Sequence, residues 1–243
     1  MRRPLLALGL VLGTAALAFA AAPKKLLVVT VTKGFRHDSI PTTERLIEQL
    51  GKDSGAYTVD YARSDPDLTA KMSAKGLAAY DGVVFASTTG DLPLPDRQAF
   101  LDWIGAGHAF VGIHAATDTY HGFPPFVEMI GGEFKTHGPQ VKVALLVQDA
   151  AHPATRGMAN PTEAFDEIYQ FKSFDKARVH MLLALDKHPN EGTPGYYRLS
   201  WTRTHGKGRV FYTALGHRED VLEADWYRKH LLGGVLWALG VSD

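Results

Sequence analysis

The chain is 243 residues long, carries 26 basic against 26 acidic side chains, and contains no cysteine. The even charge leaves no electrostatic footprint for nucleic acid or an anionic membrane surface. The missing thiols exclude disulfides, thiolate metal sites and cysteine nucleophiles together.

Residues 1–22 read as a secretory signal peptide: Arg2 and Arg3, an apolar run from Leu5 to Phe19, and the small-residue pattern Ala18-Phe19-Ala20. The run is shorter than the roughly 20 residues of a membrane span. A periplasmic or secreted protein is expected, with no membrane association after signal removal. Residues 23–243 are expected to form one α/β domain. Lys24 to Thr32, KKLLVVTVT, is apolar and β-branched, as a strand covered on both faces of a parallel sheet is. The loop Lys33 to Ser39 leads into a helix from about Pro41, with Leu46, Ile47 and Leu50 on one face and Gly51 at its end. Tyr57 to Ala62 is a second, more polar strand, and Leu68 to Tyr80 is helical or partly irregular. Gly82 to Ala86 is a third strand that breaks into Ser87-Thr88-Thr89-Gly90-Asp91. Asp96 to Ile104 is a helix, and the strand Ala109 to Ile113 ends abruptly at His114. Further strands are predicted at Val141 to Val147, Val179 to Leu185, Tyr196 to Thr202 and Arg209 to Ala214. The last two are joined by the glycine-bearing turn His205-Gly206-Lys207-Gly208. Trp226 to Leu239 is an amphipathic closing helix. The repeated strand–loop–helix order predicts a doubly wound, mostly parallel α/β sheet flanked by helices, with antiparallel edge strands added by the second half.

Ligands of such sheets bind beyond the carboxyl ends of the strands, and polar residues collect there. His37 follows the first strand, Ser87 to Asp91 the third, His114 and Asp118 the fourth, and His217 the strand that ends at Ala214. His137 sits in a glycine-flanked turn. Asp166 and Glu167, set in AFDEIYQF, are either functional acids or satisfied structural contacts. His108, His180, His188 and His230 read as structural or surface residues, and His152 as a turn residue before Pro153. Acyl transfer lacks its nucleophile: there is no G-x-S-x-G, and His114 stands where that serine would. His114, His137, His217 and Glu167 together offer a nitrogen and oxygen donor set for a divalent metal such as zinc, although no close-spaced metal motif is present. Acid–base chemistry on a sugar is the third option. Phe35, Tyr120, Phe123, Tyr169 and Trp201 would then either stack on sugar faces or pack in the core.

The stretches KGFRHDSI (33–40), VGIHAATDTY (111–120), GGEFKTHGP (131–139), HPATRGM (152–158), FDEIYQF (165–171) and SWTRTHGKGRVFYTALGHRED (200–220) occur in this order. With them the chain resembles the trehalose-utilisation, ThuA-like family over nearly all of its length after the signal. The resemblance implies a flavodoxin-like fold akin to that of class I glutamine amidotransferases. Gly112-Ile113-His114 then lies at the turn where those enzymes carry their cysteine, and Leu215 to Glu219 looks like their late His-x-Glu pair. It also implies work on carbohydrate, a disaccharide or a 3-keto-glycoside, whose proton beside the carbonyl is acidic enough for a base to remove. On this reading His114, His217, Asp118 and Glu167 are catalytic, while His37, Arg36, Tyr120 and Trp201 contact the sugar. His114, His137 and His217 are the expected ligands of any divalent metal. A hydrolase or lyase is the expected enzyme class, and a non-catalytic sugar-binding protein is the alternative. The expected partner is a small sugar, and a homodimer is compatible with the architecture.

Overall fold

The computed structural model describes residues 22–173 and 178–243; the signal-peptide reading thus concerns a segment that lies almost entirely outside the described residues. The chain forms β1 (Lys24–Val29), α1 (Ile40–Ser54), β2 (Tyr57–Ala62), α2 (Asp65–Lys71), α3 (Ala74–Leu77), β3 (Gly82–Ala86), α4 (Arg97–Gly105) and β4 (Ala109–Ile113). A 3-10 turn, His114–Asp118, follows directly. Then come α5 (Pro124–Ile130), β5 (Glu133–His137), β6 (Val141–Val147), β7 (Thr162–Asp166), β8 (Tyr169–Lys172), β9 (His180–Lys187), β10 (Pro194–His205), β11 (Gly208–Thr213), α6 (Glu219–Glu223) and α7 (Asp225–Ala238). Among the described residues no helix is long and apolar enough to cross a membrane.

The main sheet has nine strands in the order β2-β1-β3-β4-β11-β10-β9-β6-β7. The pairs β1/β2, β1/β3, β3/β4 and β4/β11 are parallel, which gives the flavodoxin-like order 2-1-3-4-5. The antiparallel addition is four strands deep, from β10 to β7. The central strands read as unbroken apolar runs because helices cover both faces. Along β1, Leu26 and Val28 point to one core with Leu46, Ile47 and Leu50 of α1 and Leu231 and Val235 of α7. Leu27 and Val29 point to the other, with Leu68, Phe100, Ile104 and Phe126 of α2, α4 and α5. By contrast β7 alternates buried and exposed residues, as a strand covered on one face does.

α1 starts with Pro41 in its first turn, where the missing N–H costs nothing. It runs past Gly51 and ends at Gly55, whose φ of 64° supplies the left-handed cap. The predicted hairpin forms: His205 pairs with Gly208 around Gly206, which has φ 57°. Two small strands, β5 and β8, pair with each other apart from the main sheet. Only Glu167 and Ile168 separate β7 from β8, so the chain leaves the sheet edge and crosses to β8 with Glu167 at the crossing.

Candidate metal and active site

Three imidazoles and one carboxylate meet at the carboxyl ends of the parallel strands. His37, His114, Glu167 and His217 each bring one donor atom, and these atoms all lie within 4.8 Å of one another. His37 comes from the loop after β1, His114 from the residue after β4, and His217 from the loop after β11; Glu167 reaches in from the β7–β8 link. His114 is wholly buried, His37 and Glu167 nearly so, and the His217 side chain is 21% exposed. The cluster therefore opens to solvent on the His217 side.

The backbone fixes His114 firmly. It leaves β4 with φ 50°, a left-handed conformation that a non-glycine residue adopts only at a cost of order 1–3 kcal/mol. Tyr212 Oη donates to its carbonyl at 2.7 Å. Its Nδ1 lies 2.8 Å from Ala214 O. A carbonyl only accepts, so Nδ1 carries a proton and Nε2 is the nitrogen that faces the cluster. That Nε2 is 3.2 Å from His37 Nε2 and 3.6 Å from Glu167 Oε2. Tyr169 backs the His114 ring, with centroids 4.4 Å apart. His217 Nδ1 lies 3.4 Å from the same Glu167 oxygen. Buried Nδ1 atoms of both His37 and His217 make no hydrogen bond.

Burial, with His114 and His217 alongside, pushes the His37 imidazole down to about 3. Burial and His114 also lower His217. Both are neutral imidazoles at neutral pH, the form that ligates a metal or accepts a proton. Burial opposes ionisation of Glu167, yet His114, His217 and His137 around it hold its carboxyl below the usual range. The outer oxygen of Glu167 lies 3.1 Å from His137 Nδ1, which also lies 3.0 Å from Gly138 O. Two acceptors flank that nitrogen, so it carries a proton.

Asp166 supports the site from below. It is fully buried, and its two oxygens accept from Gly216 N at 2.7 Å and Arg218 N at 3.2 Å. These bonds bracket His217. Gly216 has φ 110°, and a Cβ there would meet Tyr227 Oη at 2.7 Å. Of the acidic pair, Asp166 is thus the satisfied contact and Glu167 the member of the cluster.

Other residues expected at the site lie elsewhere. His137 stands outside the four-residue donor set, because it belongs to β5 and meets only the outer oxygen of Glu167. Asp118 Oδ1 is 2.6 Å from His121 Nε2, and His121 Nδ1 is 2.7 Å from Glu133, so that carboxylate is engaged away from His114. Arg36 turns back to donate to Thr30 O at 2.7 Å. Tyr120 is buried and donates to Leu92 O at 3.1 Å. Trp201 is buried with Nε1 donating to Ile130 O at 2.8 Å; neither ring presents a free face to solvent. Glu219 accepts from Thr42 Oγ1 at 2.8 Å, so this carboxylate of the His-x-Glu segment is engaged with α1.

The strand order and the imidazole–carboxylate cluster define a flavodoxin-like α/β protein with a histidine-rich site at its strand ends. The chain belongs to the ThuA, trehalose utilisation, family, whose model matches residues 25–238. A comparison with curated proteins returns no match. Among solved structures, the chain is similar to a ThuA-like protein from Parabacteroides merdae, at 21% identity and TM-score 0.75, covering 89% of this chain and 90% of that one. It is also similar to a ThuA-like protein from Bacteroides uniformis, at 20% identity and TM-score 0.70, covering 92% and 95%. A β-galactosidase from Rahnella contains the same fold, at 14% identity and TM-score 0.54, over 90% of this chain and 32% of that one. At these identities the likenesses speak for the fold.

Proposed function

We propose that this protein is a carbohydrate-active enzyme, a lyase or hydrolase of 3-keto-glycosides, with a divalent metal held by His37, His114, His217 and Glu167. One observation carries the reading: three imidazoles and an ionised carboxylate converge from four separate chain segments, with the His114 ring locked so that Nε2 faces inward. Three nitrogens and one oxygen suit zinc and similar ions. The buried Nδ1 of His217, which faces Glu167 yet makes no hydrogen bond, fits a set arranged around something other than the chain itself. When bound, a divalent ion supplies polarisation of the sugar carbonyl.

The protein's own groups do the rest. In a 3-keto-glycoside the proton on carbon 2 lies between the carbonyl and the anomeric carbon. Its removal leaves an electron pair that forms the C1–C2 double bond as the glycosidic oxygen departs from C1 with a proton. Addition of water to that double bond would complete a net hydrolysis. His137 is the proton-transfer group at the rim: it is 43% exposed beside Glu167, which is only 10% exposed, and its Nδ1–H is fixed by Gly138 O. The pairing of a solvent-open imidazole with a buried carboxylate is the arrangement that general bases use.

The test is metal content by elemental mass spectrometry of protein purified without chelator or affinity resin, with His114→Ala alongside, followed by turnover of the 3-keto derivative of a methyl glucoside. Near-stoichiometric metal and turnover, both lost in His114→Ala, are expected. A parent that binds no zinc on titration and leaves the keto-glycoside intact would overturn the proposal. Sugar binding without turnover would then favour a binding protein.

A further inference from the structure

The loop between β1 and α1 carries a feature that the cluster chemistry leaves unused. Phe35 is 67% exposed, the most open of the large apolar side chains among the described residues. It stands two residues from His37 and meets that imidazole edge to face, with ring centroids 4.8 Å apart.

An exposed phenylalanine on a slack loop folds down onto the nearest apolar surface. This loop is not slack. Lys33 N donates to Thr89 O at 2.8 Å, and Gly34 N donates to Thr89 Oγ1 at 3.1 Å. The same hydroxyl donates to Phe35 O at 2.9 Å. On the far side Arg36 is tied to Thr30 O. The backbone from Lys33 to Phe35 is therefore pinned to Thr89 beyond β3, the Arg36 side chain is anchored on Thr30 beyond β1, and the ring is held out in water beside the cluster. The flanking Lys33, Arg36 and Asp38 are exposed and polar. One ring in a polar setting is far too small for a stable protein interface, which needs about 800 Å² per partner. It matches one pyranose.

We infer that Phe35 is the platform on which a sugar ring stacks, the C–H face of the pyranose against the aromatic face, so that the sugar's reacting edge meets His37 and its neighbours. The inference rests on the carbohydrate reading above and specifies the sugar. A pyranose with all-equatorial hydroxyls offers an unbroken C–H face, whereas an axial hydroxyl at carbon 4 interrupts one face. Glucose-configured rings are preferred over galactose-configured ones.

The experiment compares the parent with Phe35→Ala and Phe35→Trp in KM and kcat on the 3-keto derivative of a methyl glucoside, and in calorimetric binding of methyl glucoside and methyl galactoside. Phe35→Ala should raise KM and the glucoside Kd about tenfold, the size of one aromatic stacking contact. It should leave metal content unchanged and erase the preference for the glucoside. Phe35→Trp should restore both. An unchanged KM and Kd in Phe35→Ala overturns the platform while the catalytic reading stands, and a shift in elution volume in that same case identifies the ring as a contact between copies. A parent that binds the glucoside but turns nothing over, with binding lost in Phe35→Ala, overturns the catalytic reading and leaves the platform standing. A parent that binds neither glycoside nor keto-glycoside overturns both.

Discussion

His230 makes the stability of this protein acid-sensitive by a calculable amount. The imidazole sits on α7 with no exposed surface. Its Nδ1 donates to Ala154 O at 2.8 Å, and Nε2 lies 3.0 Å from Ser200 Oγ. Burial pushes its pKa down to about 4 from a usual 6.5. The unfolded chain binds the extra proton between those values, so stability rises with pH across the window. The contribution is complete above pH 6.5 and is lost as pH falls toward 4. The ceiling is the gap of about 2.5 pH units at 1.36 kcal/mol each, or about 3 kcal/mol. His152, lowered to about 4, and His37, to about 3, lose stability in the same direction, so the parent alone cannot assign the effect. His230→Gln cannot titrate and isolates it. Urea unfolding at about pH 7.5 and about pH 4.5 should show a parent stability loss exceeding that of the variant by about 2–3 kcal/mol. Parallel losses in the two proteins would refute the buried neutral imidazole.

Zinc should stabilise the parent by about 2.7 kcal/mol at a hundredfold excess over Kd, read as a rise in unfolding midpoint that His114→Ala abolishes; an equal rise in that variant would place the ion elsewhere. Asp166→Asn leaves one of two backbone donors facing an amide N–H and should cost about 1–3 kcal/mol. Its weaker zinc binding would show that these bonds aim His217, and unaltered zinc binding would show that they do not. Gly216→Ala puts a methyl group against Tyr227 Oη at a φ of 110°. A loss of about 1–3 kcal/mol is expected, measured by urea midpoint, and an unchanged midpoint would contradict the close packing of that turn.

The parallel half of the fold was legible because each of its strands is covered on both faces and shows an apolar run with a sharp end. β1, β3 and β4 fall at their expected places for that reason. The elements that the sequence hid are short or half-covered: α5, β5, β7, β8 and α6 span between four and seven residues, and their pairing rather than their composition makes them regular. The same distinction runs through the site. His37, His114 and His217 were readable as histidines at strand ends, since topology alone gathers those ends. Glu167 was readable only as an acid in an apolar frame; its place in the cluster comes from the crossing between β7 and β8. Tyr120 and Trp201 follow the opposite logic. An aromatic near a polar turn looks like a ligand platform, but each has one hydrogen-bonding atom and a large apolar body, and both needs are met inside the core. Phe35 has no polar atom and no packing partner comparable to theirs, and the sequence does not distinguish it from them.

Backbone geometry gives an independent reason to place function at the ends of β3 and β4. These strands are adjacent and end in Ser87 and His114, both non-glycine residues at positive φ, 53° and 50°. Ser87 N donates to Ile113 O at 3.1 Å, so the two strained turns brace each other. Glycine would adopt either conformation without the steric cost. The His114 side chain instead occupies the strained position and is fixed at both its carbonyl and its Nδ1. At Ser87 the buried hydroxyl makes no hydrogen bond. Two adjacent positions therefore carry side chains that the fold alone would not favour. Two of the four non-glycine residues at positive φ among the described residues thus stand where the sheet meets the cluster, the other two being Tyr120 and Ser173, while the strands behind remain regular and apolar. That localisation fits a sheet that serves as a rigid mount for the imidazoles and a site whose geometry is set before any ligand arrives.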